Sequence, residues 1–148
     1  MSNAQPYLRF EADRTVLIDV EQRVFSLSVS PEILARQHWP KGLPSSLQLE
    51  YAIDNVEAAI EQAMLSHEVR GVLMTTESVQ RLLPELLRPQ SEVGRDAVEY
   101  EFTRLVAAAH VAGRSDAPHT LHGESAAALL LLRELMHHLG FQALMQQG

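Results

Sequence analysis

The amino-acid sequence predicts an α+β fold in which a small antiparallel N-terminal sheet packs against about four helices. Three observations favour this fold class. Residues 15–29 contain two β-rich runs joined by a polar step, residues 46–63 carry apolar side chains at helical spacing, and residues 124–139 are apolar on most of the helix circumference. We therefore expect the last helix, 124–139, to lie at the centre of the others.

The N-terminal third is expected to form the sheet. Segments 15–19 and 23–29 are rich in β-branched and large apolar residues, which is typical of a half-buried hairpin. Segment 7–10 is a candidate third strand. The run 69–74 is short and apolar, so we interpret it as a buried strand that joins this sheet or flanks it.

Two helices are expected between these strands. Ser30 can cap a short helix that begins with Pro31 and ends near Gln37, because proline is favoured in the first turn. A longer helix starts near Ser46, since apolar side chains follow at spacings of three and four residues. This apolar stripe consists of Leu49, Ala52, Ile53, Val56, Ala59, Ile60 and Ala63.

The second half of the chain is predicted to be mainly helical. A helix over 77–87 is expected to kink or end at Pro84, whose nitrogen cannot donate a hydrogen bond. The next helix is capped by Ser91 and runs to about residue 112, and a polar loop over 113–123 leads to the last helix. Residues 141–145 are predicted to form either an edge strand or a frayed helical turn.

Composition excludes several classes of function. The chain has 148 residues, 19 acidic against 12 basic side chains, a formal charge of −7 and no cysteine. The negative charge disfavours nucleic acid and anionic membranes as partners, and the lack of cysteine excludes disulfides and thiolate chemistry. We expect one domain over 1–148 with flexible residues 1–5, and a cytoplasmic location because no secretory or membrane-spanning segment is evident.

An acidic ridge follows the helix that starts near Ser46. Its members recur at spacings of four, three and four residues and are Glu50, Asp54, Glu57 and Glu61. One interpretation is a docking face for a basic protein partner. The other is a solvated surface that keeps the protein soluble.

Histidines cluster near the C-terminus in two groups. His119, His122 and Glu124, with Asp116, offer imidazole and carboxylate ligands of the kind that a divalent transition metal such as zinc accepts. The second group, Glu134, His137 and His138, is favoured as a surface patch near a helix C-terminus. In the metal hypothesis His110 or this second group completes the loop site.

These patterns predict a small accessory protein without catalytic activity, which binds a protein partner through the acidic ridge and forms a homodimer without a cofactor. The alternative is a metal-dependent enzyme or metal-binding protein that uses the loop histidines. A third possibility is a small anion bound by Thr75 and Thr76 at a strand-to-helix junction. No complete catalytic motif is visible in the sequence.

Overall fold

The computed structural model describes residues 5–111 and 123–147. Six strands are present in this part of the chain: β1 (Tyr7–Phe10), β2 (Thr15–Ile18), β3 (Val24–Leu27), β4 (Arg70–Thr75), β5 (Glu92–Gly94) and β6 (Phe141–Gln146). The helices of this part are α1 (Pro31–His38), α2 (Ser46–Gln62), α3 (Glu77–Gln80), α4 (Arg95–His110) and α5 (Gly123–Leu139).

All six strands belong to one sheet, in the order β3-β2-β1-β4-β6-β5. The pairs β1–β2, β2–β3 and β5–β6 are antiparallel, whereas β1–β4 and β4–β6 are parallel. The α+β class is therefore confirmed, and the sheet is mixed rather than purely antiparallel. The parallel pairs follow from the helices that separate these strands in the chain, since a parallel pair needs a long crossover connection.

Local sequence signals account for the starts of the first two helices. The Ser30 hydroxyl accepts a hydrogen bond from the Ile33 N–H at 3.1 Å, with Pro31 in the first turn, as predicted. At the start of α2 the side chains of Ser45 and Gln48 each accept a hydrogen bond from the backbone N–H of the other. This reciprocal capping fixes where α2 begins.

Helix α5 is central, as the sequence predicts. It packs against α1, α2, α4 and β6, and its apolar run from Ala126 to Leu132 is buried without exception. Burial of this run contributes strongly to the free energy of folding, since each fully buried leucine stabilises by about 1.5–3 kcal/mol. The position of α5 matters for function because it starts near the carboxyl ends of the parallel strands and ends near their amino ends.

Three predicted elements differ from the structure. The helix at Glu77 ends at Gln80, four residues before Pro84, and a series of turns follows. Ser91 caps no helix, because the three-residue strand β5 intervenes before α4. Strand β6 lies between β4 and β5 rather than at an edge, since both of its sides find a hydrogen-bonding partner. In the part of the chain described, no helix has the length and apolar character needed to cross a membrane.

Candidate functional site

The carboxyl ends of the parallel strands β1, β4 and β6 lie at one edge of the sheet. Here the chain diverges after two neighbouring strands. After β1 it turns back into β2, on the side of β1 away from β4, whereas after β4 it continues into α3. Ligands of open α/β sheets bind preferentially outside the carboxyl ends of strands at such a divergence. This edge is therefore the first place to look for a site.

A cleft of about 430 Å³ opens there, which we call the carboxyl-edge cleft. Polar side chains reach it from four different places: the β1–β2 turn, the start of α1, the segment after β4 and the start of α5. They are Glu11, Glu32, Ser78, Arg81 and Glu124. An adjoining cleft of about 320 Å³ shares Glu32 and Glu124 and adds Arg36 and Trp39.

Hydroxyl groups at this edge mainly fasten the strands together. Thr75 is buried and its hydroxyl lies 3.2 Å from the Gln146 side-chain oxygen, while the Thr76 hydroxyl donates to the Leu8 carbonyl at 3.2 Å. Both side chains proposed for anion binding are thus engaged within the protein. Ser78 lines the cleft, but its hydroxyl is engaged too: it accepts a hydrogen bond from the Phe10 N–H at 3.0 Å and lies 2.8 Å from the Thr76 hydroxyl.

The charges in the cleft fall into two groups. Glu11 is held by Arg9 at 2.9 Å and Arg14 at 3.0 Å. The hydrogen bond from Arg9 and the charges of both arginines outweigh partial burial and lower the pKa of Glu11. Within the described ranges, by contrast, no carboxylate lies at ion-pair distance from Arg36 or Arg81.

This arrangement suits an anion together with a divalent cation. Helices α1 and α5 begin at the cleft, and helix N-termini and arginines favour phosphate groups. Glu32 and Glu124 are exposed carboxylates at the same place, and alone they would repel a phosphate. A bound Mg²⁺ would remove this repulsion, since this ion is commonly held by one or two carboxylates plus the phosphates of a ligand.

The acidic ridge is not a uniform surface. Glu50, Asp54 and Glu61 are exposed on α2. The Glu57 side chain instead turns towards α5, where its Oε2 lies 3.0 Å from the His138 Nε2. The ridge is therefore interrupted at its third member, because that carboxylate faces another helix.

Glu134 is buried, with 1% of its side chain exposed, so the predicted surface patch is wrong for this residue. Arg133 donates to its Oε2 at 2.5 Å, and the same guanidinium bonds Glu99 at 3.1 Å and lies over the ring of Phe102. Burial lowers the pKa of Arg133, but the bonds and charges of the two glutamates outweigh it and raise the pKa. Helical periodicity does not reveal this burial, because it depends on residues of α4.

The residues of the two predicted histidine groups that the structure describes lie at opposite ends of α5. His119 and His122 lie outside the described residues. Glu124 is at the start of α5, in the carboxyl-edge cleft, whereas Glu134 and His138 are near its end. With a rise of about 1.5 Å per residue, Glu124 and His138 are separated by about 21 Å. One metal ion cannot bind both residues.

Comparison with known proteins identifies the fold. No family model and no curated protein sequence matches the chain. The chain is similar in structure to the type II variant of the Aquifex aeolicus Ppx/GppA phosphatase, with a TM-score of 0.69 and 10% identity over 96% of this chain and 52% of that protein. A structure described as that of an exopolyphosphatase-like protein gives a TM-score of 0.64 and 10% identity over 96% and 55%. The chain thus spans about half the length of these structures.

These structures correct the predicted function. The sequence predicts a non-catalytic accessory protein, whereas the chain has the fold found in structures described as a Ppx/GppA phosphatase and an exopolyphosphatase-like protein. The expectation rested on the absence of a complete local motif. A cleft built from side chains of four separate places in the chain leaves no such motif. The expected homodimer and basic protein partner stay predictions.

Proposed function

We propose that this chain is a phosphatase-type domain that binds the magnesium complex of a phosphate ester or polyphosphate in the carboxyl-edge cleft. The observation that carries the proposal is the meeting of Arg81, Ser78, Glu32 and Glu124 at the divergence of β1 and β4. The likeness to structures described as Ppx/GppA phosphatase and exopolyphosphatase-like protein supports this ligand class.

In this proposal the arginines bind the phosphate oxygens. Arg81 lines the main cleft and Arg36 the adjoining one, so the two can contact different groups of an extended phosphate chain. A guanidinium donates to two oxygens at once, which makes it a stronger phosphate ligand than a neutral donor.

The glutamates hold the cation and the water. Glu32 and Glu124 would supply the oxygen ligands for Mg²⁺, and the ion would offset the negative charge of the bound phosphate groups. In hydrolysis one of these carboxylates would accept a proton from the attacking water while the new P–O bond forms and the P–O bond to the leaving alcohol or phosphate breaks. Because the chain spans about half of the structures it resembles, hydrolysis by the whole protein is part of the proposal.

Equilibrium binding of tripolyphosphate with Mg²⁺ tests this function. We expect the chain to bind one tripolyphosphate and Arg81→Ala to weaken binding at least about tenfold, because a charge-assisted hydrogen bond contributes about 1.5–3 kcal/mol. Arg36→Ala should weaken the binding of tripolyphosphate more than it weakens the binding of pyrophosphate.

Arg88→Ala is the matched control, since Arg88 is exposed and lines neither cleft. The Arg88→Ala variant should bind tripolyphosphate with the same affinity as the parent chain. Absence of binding with Mg²⁺, or equal binding by the Arg81→Ala and parent chains, contradicts the proposal.

A cytoplasmic location belongs to the same proposal. Cell fractionation of the full protein, followed by detection in the soluble cytoplasmic fraction, tests it. Recovery in the secreted or membrane fraction would contradict it.

A further inference from the structure

Three side chains from α2 and α5 converge at the other end of α5. The Nε2 of His138 lies 3.0 Å from the Glu57 Oε2 and 3.3 Å from the Glu134 Oε1. The three potential ligand atoms all lie within 4.8 Å of one another. We call these residues the α2–α5 cluster, and it is remote from the carboxyl-edge cleft because it lies at the opposite end of the helix.

The imidazole of His138 makes no hydrogen bond through Nε2. This atom is buried and has no partner with acceptable geometry, although two carboxylate oxygens are close to it. A hydrogen bond requires the N–H to point at its acceptor. A buried imidazole nitrogen without a partner needs an explanation, and its short distance to two further ligand atoms points to a shared cation.

The two distances from the His138 Nε2 suit a tetrahedral metal, and the two carboxylates lie within 4.8 Å of each other. Zinc binds imidazole nitrogen and carboxylate oxygen at about 2.0–2.2 Å, so neighbouring ligand atoms around it are about 3.3–3.5 Å apart. The observed 3.0 and 3.3 Å are close to this spacing. Glu134 and His138 are four residues apart on α5, which places both on one face of a rigid helix.

The local charge also favours a divalent cation. Within residues 5–111 and 123–147, the guanidinium of Arg133 is the one arginine group that pairs with this set of carboxylates, Glu57, Glu134 and Glu99. The three carboxylates and the one guanidinium sum to two negative charges, which one divalent ion neutralises. Arg133 donates a hydrogen bond to the Oε2 of Glu134, so the Oε1 that faces His138 remains available. The same hydrogen bond fixes the orientation of the carboxylate for metal binding.

We propose that Glu57, Glu134 and His138 form a zinc site with one open coordination position. The side chains of His138 and Glu57 are 32% and 43% exposed, so a water molecule can reach the fourth position. Three protein ligands plus water is the arrangement of zinc sites that bind or activate an exchangeable ligand. Imidazole coordination favours zinc over Mg²⁺, which prefers oxygen ligands.

Metal titration of the full chain near neutral pH tests the site. We expect one Zn²⁺ per chain, a rise in melting temperature with added zinc, and a tetrahedral visible spectrum when Co²⁺ replaces it. His138→Ala and Glu57→Gln should each weaken zinc binding at least about tenfold through loss of a ligand. Both side chains are partly exposed, so both variants are expected to fold, which their circular dichroism checks.

His137→Ala and Glu61→Gln are the controls, since both are exposed neighbours outside the cluster. They should bind zinc as the parent chain does. The proposal is overturned if the parent chain binds no zinc, if Mg²⁺ competes at equal concentration, or if His137→Ala loses as much affinity as His138→Ala. Because no phosphate compound is present, the outcome is independent of the function of the carboxyl-edge cleft.

Discussion

The two ends of α5 hold charged groups in different ways. At its start, Glu124 is exposed and shares an open cleft with Glu32 and Arg81, none of which has an ion-pair partner in the described parts of the chain. Near its end, Glu134 is buried and bonded to Arg133, and His138 lies beside two carboxylates. One helix therefore has an exposed group of charges at its start and a compact, partly buried group near its end.

This difference indicates different kinds of ligand. An open group of exposed charges can adapt to a flexible anion and its hydrated Mg²⁺. A compact group fixed by two packed helices has its ligand atoms already in place, which suits a single ion of strict geometry. The difference also predicts that substitutions near the end of α5 affect stability more than substitutions around its start.

Replacement of Arg133 should have the largest effect. Arg133→Met leaves the Glu134 carboxylate buried without its partner, so we expect a loss of about 3 kcal/mol in the free energy of unfolding. Urea denaturation monitored by circular dichroism measures it. Adding Glu134→Gln to Arg133→Met should recover part of the loss, since the buried charge is then removed.

Arg104→Met is the corresponding surface control. Arg104 pairs with Glu101 at 3.4 Å and both side chains are partly exposed, so the expected loss is about 0–1 kcal/mol. Equal losses for the Arg133 and Arg104 variants would show that the two pairs are equivalent, and the contrast between buried and exposed charges would fail.

A smaller effect is expected at the carboxyl-edge cleft on acidification. Arg9 and Arg14 lower the pKa of Glu11 below 4.5 in the folded chain, so Glu11 stabilises the fold above about pH 4.5 and this contribution is lost as the pH falls through the folded pKa. The stability difference between the parent chain and Glu11→Gln should therefore be small near pH 7 and smaller still when it is measured below pH 4.5.

Added salt should reduce the stability difference between the parent chain and Glu11→Gln at pH 7, because the ion pairs of Glu11 with Arg9 and Arg14 are accessible to solvent. Denaturation curves at the two pH values provide the measurement. If Glu11→Gln is as stable as the parent chain near pH 7 and less stable only at low pH, the stability difference changes in the opposite direction and the prediction is wrong.

Local signals in the sequence predict the elements well. The Ser30 cap, the apolar stripe of α2 and the central position of α5 all depend on residues a few positions apart. The strand order of the mixed sheet cannot be predicted from such local signals. The three-residue strand β5 is too short to show periodicity, and the interior position of β6 depends on pairing with β4, about seventy residues earlier.

The candidate sites are predicted only in part. Glu57 belongs to a predicted acidic ridge and His138 to a predicted histidine group, but only the packing of α2 on α5 brings them together. Glu124 is among the predicted metal ligands and lies in the cleft. Arg81 and Ser78 carry no local signal, because their position depends on the turn that follows β4.

The central claim is that the two ends of α5 bind different ligands. Nuclear magnetic resonance of the ¹⁵N-labelled chain, titrated separately with Mg²⁺–tripolyphosphate and with Zn²⁺, tests it most directly. We expect tripolyphosphate to shift the amide signals of Ser78, Arg81 and Glu124, and zinc to shift those of Glu57, Glu134 and His138. Shifts of the same residues by both ligands, or no shift in the carboxyl-edge cleft with tripolyphosphate, would contradict the account.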